Sequence, residues 1–81
     1  MPPFRISVIN QHFASSDEHH LSTAEEAERE TIKAALQIGA DEIMNGKPFF
    51  GAEAKVEDDG EVVKRYVVSI GVSPLQYGRS G

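Results

Sequence analysis

The longest regular pattern of apolar and polar positions runs from Ser22 to Gly46 and predicts one long helix. Apolar residues recur at intervals of three and four along this stretch, and charged residues occupy the opposite arc. Ser22 or Thr23 can serve as the N-cap, because a glutamate follows each of them at the position of a capping box. Gly46 can adopt a left-handed C-cap conformation, and Pro48 prevents the helix from continuing. The centre of the apolar arc holds small residues, so we expect the helix to lie close against a sheet.

Shorter patterns before the helix predict two strands of unequal strength. Phe4, Ile6 and Val8 alternate with their neighbours in the period-two pattern of a half-buried strand. A weaker strand is predicted from His12 to Ser16, and the polar stretch from Asp17 to His20 is predicted to be a loop.

After the helix, two alternating runs predict a hairpin. Phe49 to Glu57 and Val62 to Val72 flank the turn sequence Asp58-Asp59-Gly60. A three-residue loop with Gly60 in the left-handed position of a bulge would set Glu53 opposite Arg65.

A two-residue loop would instead set Lys55 opposite Lys64, which places like charges side by side. We therefore predict the three-residue loop. In that register Lys64 faces the helix side of the sheet, where it can reach the rim or pair with Glu28 or Glu42.

The order of elements is strand, weak strand, helix, strand, strand. This order predicts an α+β domain, in which one long helix covers one face of an antiparallel sheet of three or four strands. We expect residues 1–81 to form a single domain with an ordered core at about 3–73 and a flexible tail at 74–81.

The composition narrows the classes of partner. The 81 residues are 40% hydrophobic and 26% charged, with a net charge of -5 and no cysteine. An acidic chain is poorly suited to nucleic acid, and a basic protein partner is easier to satisfy. No stretch approaches the roughly 18 apolar residues of a membrane span, and residues 1–4 lack the features of a signal peptide. We expect a cytoplasmic protein that binds neither nucleic acid nor membrane.

Candidate chemistry is sparse. His12, His19 and His20 are the histidines of the chain, and adjacent histidines in a polar loop can bind a metal ion. The helical spacing typical of metal ligands is absent, and the serines lack a nucleophile elbow. We therefore assign no catalytic, cofactor or metal residue and expect no enzyme activity, with small-ligand or metal binding by the histidine loop as an alternative.

Two segments carry a resemblance to a known family, namely Ser22-Thr23-Ala24-Glu25-Glu26-Ala27 at the helix start and Val56-Glu57-Asp58-Asp59-Gly60 at the hairpin. With the strand led by Phe4, they resemble a family of short proteobacterial proteins classed as a domain of unknown function. The resemblance covers Phe4 to Leu75 and implies no active site. Family members often carry a glycine after the acidic pair of the loop before the helix, where this chain has His19.

A fainter similarity is to small α+β antitoxins. It rests on Glu25-Glu26-Ala27 at the helix start and Gly46-Lys47-Pro48 at its end. It implies a protein that neutralises a basic partner, and this is the second alternative. The leading hypothesis is a non-enzymatic protein-interaction module.

The sheet face turned away from the helix supplies a predicted interface. Isolated apolar residues are interspersed there with charges of both signs, which suits self-association about a twofold axis. We predict a homodimer whose interface includes Ile9, Val63, Arg65 and Val67.

Overall fold

A computed structural model describes residues 3–75. Its elements are β1 (Pro3–Ile9), β2 (Ala14–His20), α1 (Ala24–Met44), β3 (Phe49–Asp58) and β4 (Glu61–Gly71). The four strands form one antiparallel sheet in the order β2-β1-β3-β4, and α1 packs on one face of it. The predicted α+β fold is confirmed, with four strands. Of the predicted flexible tail, residues 76–81 lie outside the described residues.

Both ends of α1 are capped by the residues that the sequence offered. The Thr23 hydroxyl accepts a hydrogen bond from the Glu26 amide at 3.1 Å, so Thr23 rather than Ser22 is the N-cap. At the other end Gly46 has a φ of 101°, and its amide donates to the Ile43 carbonyl at 3.0 Å. The Lys47 amide donates to the carbonyl of Glu42 at 3.2 Å, which completes a Schellman motif.

Small residues let α1 approach the sheet closely. Its buried row is Ala27, Thr31, Ala35 and Gly39, which recur every fourth position on one side of the helix. Thr31 is buried without penalty because its hydroxyl donates to the Ala27 carbonyl at 2.6 Å. The expectation of a helix lying close against a sheet is confirmed.

The core lies between this row and the alternating residues of the two central strands. From β1 and β3 the buried apolar residues are Phe4, Ile6, Val8, Phe50, Ala52, Ala54 and Val56. Their neighbours in sequence project to the opposite face, as the pleat of a strand requires. The period-two pattern therefore assigned the faces of both strands correctly.

The prediction for the second strand was wrong in extent. The strand begins at Ala14 and continues to His20, so the residues from Asp17 to His20 are strand and not loop. They pair with β1 in a register that sets Glu18 opposite Arg5. Hydrogen bonding to β1 forms this strand, and its polar residues are acceptable because it lies at an edge of the sheet.

The predicted register of the hairpin was also wrong. Asp59 and Gly60, with φ of 52° and 84°, form a two-residue turn, because residues on both sides of it pair directly. An irregularity between Val56 and Glu57 then shifts the pairing by one residue. Since the final offset is two residues from the prediction, the same side chains of β3 and β4 still face α1.

Ion pairs explain how the observed register is tolerated. The observed register sets Lys55 opposite Arg65, which brings like charges together. It also sets Glu53 opposite Val67. Each base has its own carboxylate, because Lys55 lies 3.3 Å from Glu57 and Arg65 lies 2.5 Å from Glu53. The repulsion that argued against such a pairing is therefore compensated within the same face.

Candidate interaction surface

The two edges of the sheet differ in chemistry. The edge strand β2 is polar from Ser15 to its end, and all of its residues except His19 are exposed. Its Glu18 carboxylate lies 3.3 Å from the Arg5 guanidinium of β1. Charged side chains at an edge disfavour pairing with a further strand, so this edge is protected.

The opposite edge strand, β4, is long and largely apolar. It has 11 residues, and among residues 3–75 its strand partner is β3 alone. Its charged residues lie in its first half, and Tyr66 to Gly71 carries none. Val67 on the outer face is 83% exposed. A long apolar edge strand presents free backbone donors and acceptors to another strand.

A side-chain hydrogen bond fixes the helix above this edge. The Tyr66 hydroxyl donates to the Glu28 carboxylate. This hydrogen bond, partial desolvation and the negative charge of Glu28 together raise the pKa of Tyr66 above its ordinary value of 10.0. The side of α1 that bears Glu28 therefore faces β4.

The same side of the helix also packs closely against β4 at Gly39, further towards the end of that strand. A Cβ built on Gly39 would lie 2.5 Å from Cδ1 of Ile70 and 2.8 Å from Cδ2 of Phe50. Between Glu28 and Gly39, α1 therefore runs alongside β4 from Tyr66 towards Ile70.

Apolar helix residues extend beyond the contact with β4. Ile32 and Leu36 follow Glu28 at intervals of four residues, so they lie on the flank of α1 that faces β4. Ile32 is half-buried and Leu36 is 47% exposed, and both line a shallow groove formed by residues of α1 alone, including the basic residues Arg29 and Lys33. We call the free edge of β4, its helix-side residues Tyr66, Val68 and Ile70, and the flank residues Ile32 and Leu36 the β4 edge surface. It combines backbone hydrogen-bonding groups with apolar area, which is the chemistry of protein recognition by strand addition.

The predicted interface residues do not form one apolar patch. Ile9 and Val67 lie in the same cross-strand row of the outer face, but Glu53 lies between them. Arg65 is bound to that glutamate, and Val63 lies beside the irregularity near the hairpin turn. The outer face is instead a layer of ion pairs and hydroxyl hydrogen bonds. Homodimerisation through it stays a prediction.

Hydrogen bonds also cover the centre of that outer face. Ser7 is 5% exposed, and its hydroxyl donates to the Ser16 hydroxyl at 3.2 Å. The Arg5 guanidinium donates to the same oxygen at 3.0 Å. These side chains satisfy one another within the chain.

The three histidines lie apart. His12 is in the turn between β1 and β2, whereas His19 and His20 are at the far end of β2, where strand alternation directs them to opposite faces. The structure therefore does not bring their imidazoles to one site. In residues 3–75, no group of three His, Asp or Glu side chains is placed to hold a metal ion.

A cleft of about 380 Å³ lies where the end of α1 meets the start of β3, and His12, Glu42, Lys47 and Phe49 are among its lining residues. Its two charged helix-end groups neutralise each other, because the Lys47 ammonium is 2.9 Å from the Glu42 carboxylate. His12 contacts its neighbour Gln11 at 3.3 Å. Glu53 also lines the cleft and is bound to Arg65, so each of the acidic and basic side chains among the described lining residues has an ion-pair partner.

Lys64, Glu28 and Glu42 lie at the edge of the contact between α1 and the sheet. Lys64 is exposed, opposite Val56, and within the described part of the chain it forms no ion pair. Glu28 binds Tyr66 and Glu42 binds Lys47. A pair between Lys64 and either glutamate is not formed.

Comparison with known proteins adds no relative. The chain matches no family model, no curated protein and no solved structure. The resemblances noted in the sequence therefore stay predictions. Across residues 3–75, no helix is both long enough and apolar enough to cross a membrane.

Sequence reasoning missed the β4 edge surface because it left strand order open. The signal was nevertheless present, since Val62 to Val72 is the longest alternating run and Ile32 and Leu36 flank the apolar arc of the helix. Because β4 lies at an edge of the sheet, the residues of this strand and of the helix flank beside it form a surface.

Proposed function

We propose that this chain is a non-enzymatic protein-interaction module that binds its partner through the β4 edge surface. The observation that carries the proposal is an 11-residue edge strand whose second half bears no charge, beside an apolar helix flank that is partly exposed. On the composition and the family resemblance, we further place the module in the cytoplasm of a bacterium.

Strand addition explains why both parts of the surface are needed. Backbone hydrogen bonds to a free edge give affinity without sequence selectivity, and side-chain pockets supply the selectivity. Here Ile32 and Leu36 would contact side chains of the added strand or of an element beside it. Exposed apolar groups that become buried dominate such an interface.

The test is recovery of a partner from cells of the organism that encodes the chain. The tagged wild type should recover one protein reproducibly, either another protein or an untagged copy of this chain. Leu36→Lys should abolish recovery because it places a charge in the apolar flank. Met44→Lys is the matched control, since Met44 is an apolar residue of the same helix, 84% exposed and outside the surface. Recovery that is unaffected by Leu36→Lys would refute the proposal.

A second candidate is neutralisation of a basic partner by the acidic end of the sheet. Glu18, Glu57 and Asp59 line one concave region there, with Arg5 as its single base. Such binding would weaken with salt and with Glu57→Gln, and would be insensitive to Leu36→Lys. A small basic protein encoded beside this chain would be the partner to assay, and failure of the purified pair to bind at low salt would exclude this candidate.

A further inference from the structure

We propose that the partner of the β4 edge surface is a second copy of this chain. The two sheets would join through antiparallel β4 strands into one eight-stranded sheet, with both helices on the same face. This inference rests on the proposed function and names its partner.

Strand symmetry favours an axis at Val68. A twofold axis perpendicular to the sheet keeps helix-side residues on the helix side, because directly opposed residues project to the same face. With the axis at Val68, Tyr66 lies opposite Ile70 of the second copy and Arg65 lies opposite Gly71. An axis at Arg65 would instead oppose two guanidinium groups.

The position of α1 selects the same axis. Glu28 lies beside Tyr66 and Gly39 beside Ile70, so the middle of that helix segment lies beside Val68, the middle of that strand segment. Ile32 and Leu36 flank the helix midpoint. An axis at Val68 therefore sets Ile32 of one copy across from Leu36 of the other.

Strand spacing shows that these side chains can meet. The helix packs over β3 and reaches β1 and β4 on either side. In the joined sheet the two β3 strands are three spacings apart, or about 14 Å. Closely packed helices lie about 8–10 Å apart, so a gap of a few ångströms is left for large apolar side chains. Ile32 and Leu36 of both copies fill that gap.

The difference between the β2 and β4 edges explains why β4 is the edge that pairs and why its partner is a second copy. The charged strand β2 disfavours addition, whereas the second half of β4 is uncharged and self-complementary about Val68. A twofold pairing uses the same edge of both copies and leaves no free apolar edge.

Because the sequence contains no cysteine, single-cysteine variants of the full chain test the arrangement directly. Val68→Cys places two thiols on the axis, where directly opposed Cα atoms are about 4.5–5.5 Å apart, and it should form a covalent dimer on oxidation. Val67→Cys is the matched control. Its thiols would be diagonal neighbours about 7–8 Å apart, outside disulfide range, although Val67 is the more exposed residue.

Light scattering completes the test without any cross-link. The wild type at micromolar concentration should have about twice the 8.9 kDa chain mass. Leu36→Lys should raise the dimer dissociation constant at least about tenfold with an unchanged circular dichroism spectrum, whereas Met44→Lys should leave it unchanged.

Three results would overturn the inference. They are a monomeric wild type, a dimer that Leu36→Lys leaves intact, and a dimer that cross-links through Val67→Cys rather than Val68→Cys. A monomer whose recovered partner is lost with Leu36→Lys would refute the second copy and leave the interaction module standing. If no partner is recovered either, the proposed function fails as well.

Discussion

The Tyr66 hydroxyl donates its hydrogen bond to the Glu28 carboxylate and so ties the edge strand β4 to the helix. The sequence separation of 38 residues makes this a tertiary link. Tyr66→Phe should lower the free energy of unfolding, because the carboxylate loses a donor while the ring keeps its packing. A double-mutant cycle with Glu28→Ala, which removes the acceptor, should show a favourable coupling between the two residues in urea denaturation. Additive single-mutant effects would contradict this prediction.

The same hydrogen bond predicts a loss of stability at alkaline pH. Because the pKa of Tyr66 is raised above its ordinary 10.0, the folded state favours the protonated phenol. Its contribution is fully present below about pH 10 and is lost as the pH rises through the raised pKa. The wild type should therefore lose more stability than Tyr66→Phe above pH 10. In a Tyr77→Phe background, phenolate absorbance should show the late titration of Tyr66 alone.

Because the helix lies close to the sheet at Gly39, we predict that Gly39→Ala lowers the free energy of unfolding, whereas this change usually raises it in a helix. At an ordinary helix position this change stabilises by about 0.8–1 kcal/mol. At Gly39 the new methyl would meet Ile70 and the ring of Phe50, and overpacking costs about 1–3 kcal/mol. We expect a net loss of stability in chemical denaturation. A gain would mean that the helix does not lie this close to β3.

The N-cap assignment separates two adjacent hydroxyl residues. Thr23→Ala should cost about 0.5–2 kcal/mol, because the Glu26 amide loses its acceptor. Ser22→Ala should change the free energy of unfolding by less than about 0.5 kcal/mol, as expected at an exposed surface position. Thermal unfolding of the two variants side by side checks this. Equal losses would show that the cap is shared.

Lys64→Met should be neutral or stabilising. The exposed ammonium has no ion-pair partner within the described part of the chain, and methionine keeps the apolar stem of the side chain. We expect a change within about 0.5 kcal/mol or a small gain. A loss above about 2 kcal/mol would show that the lysine belongs to an obligatory buried pair.

The helix and central strands followed from sequence because their signals are local. Thr23, Gly46 and the alternation of β1 and β3 each encode structure within a few residues. Only the beginning of β2 was predicted, since its residues from Asp17 to His20 are polar and are held by pairing with β1, which periodicity cannot detect.

The hairpin register shows a different limit. Like-charge opposition argued against the two-residue loop, yet the turn is the two-residue one at Asp59-Gly60. The irregularity next to Val56 sets Lys55 opposite Arg65, and the carboxylates of Glu53 and Glu57 compensate these like charges. The candidate surface was missed for a similar reason. Strand order is a property of the whole sheet, and it decides whether Val68 meets solvent or another strand.

The strand order also indicates the order in which the strands pair during folding. The pairs β1–β2 and β3–β4 are hairpins that close short loops, whereas the pairing of β1 with β3 joins Phe4 to Asp58 across most of the chain. Non-local closure is the slow part of folding, because chain entropy is lost before the contacts form. The helix α1 connects the two hairpins, so its packing on the sheet brings β1 and β3 together.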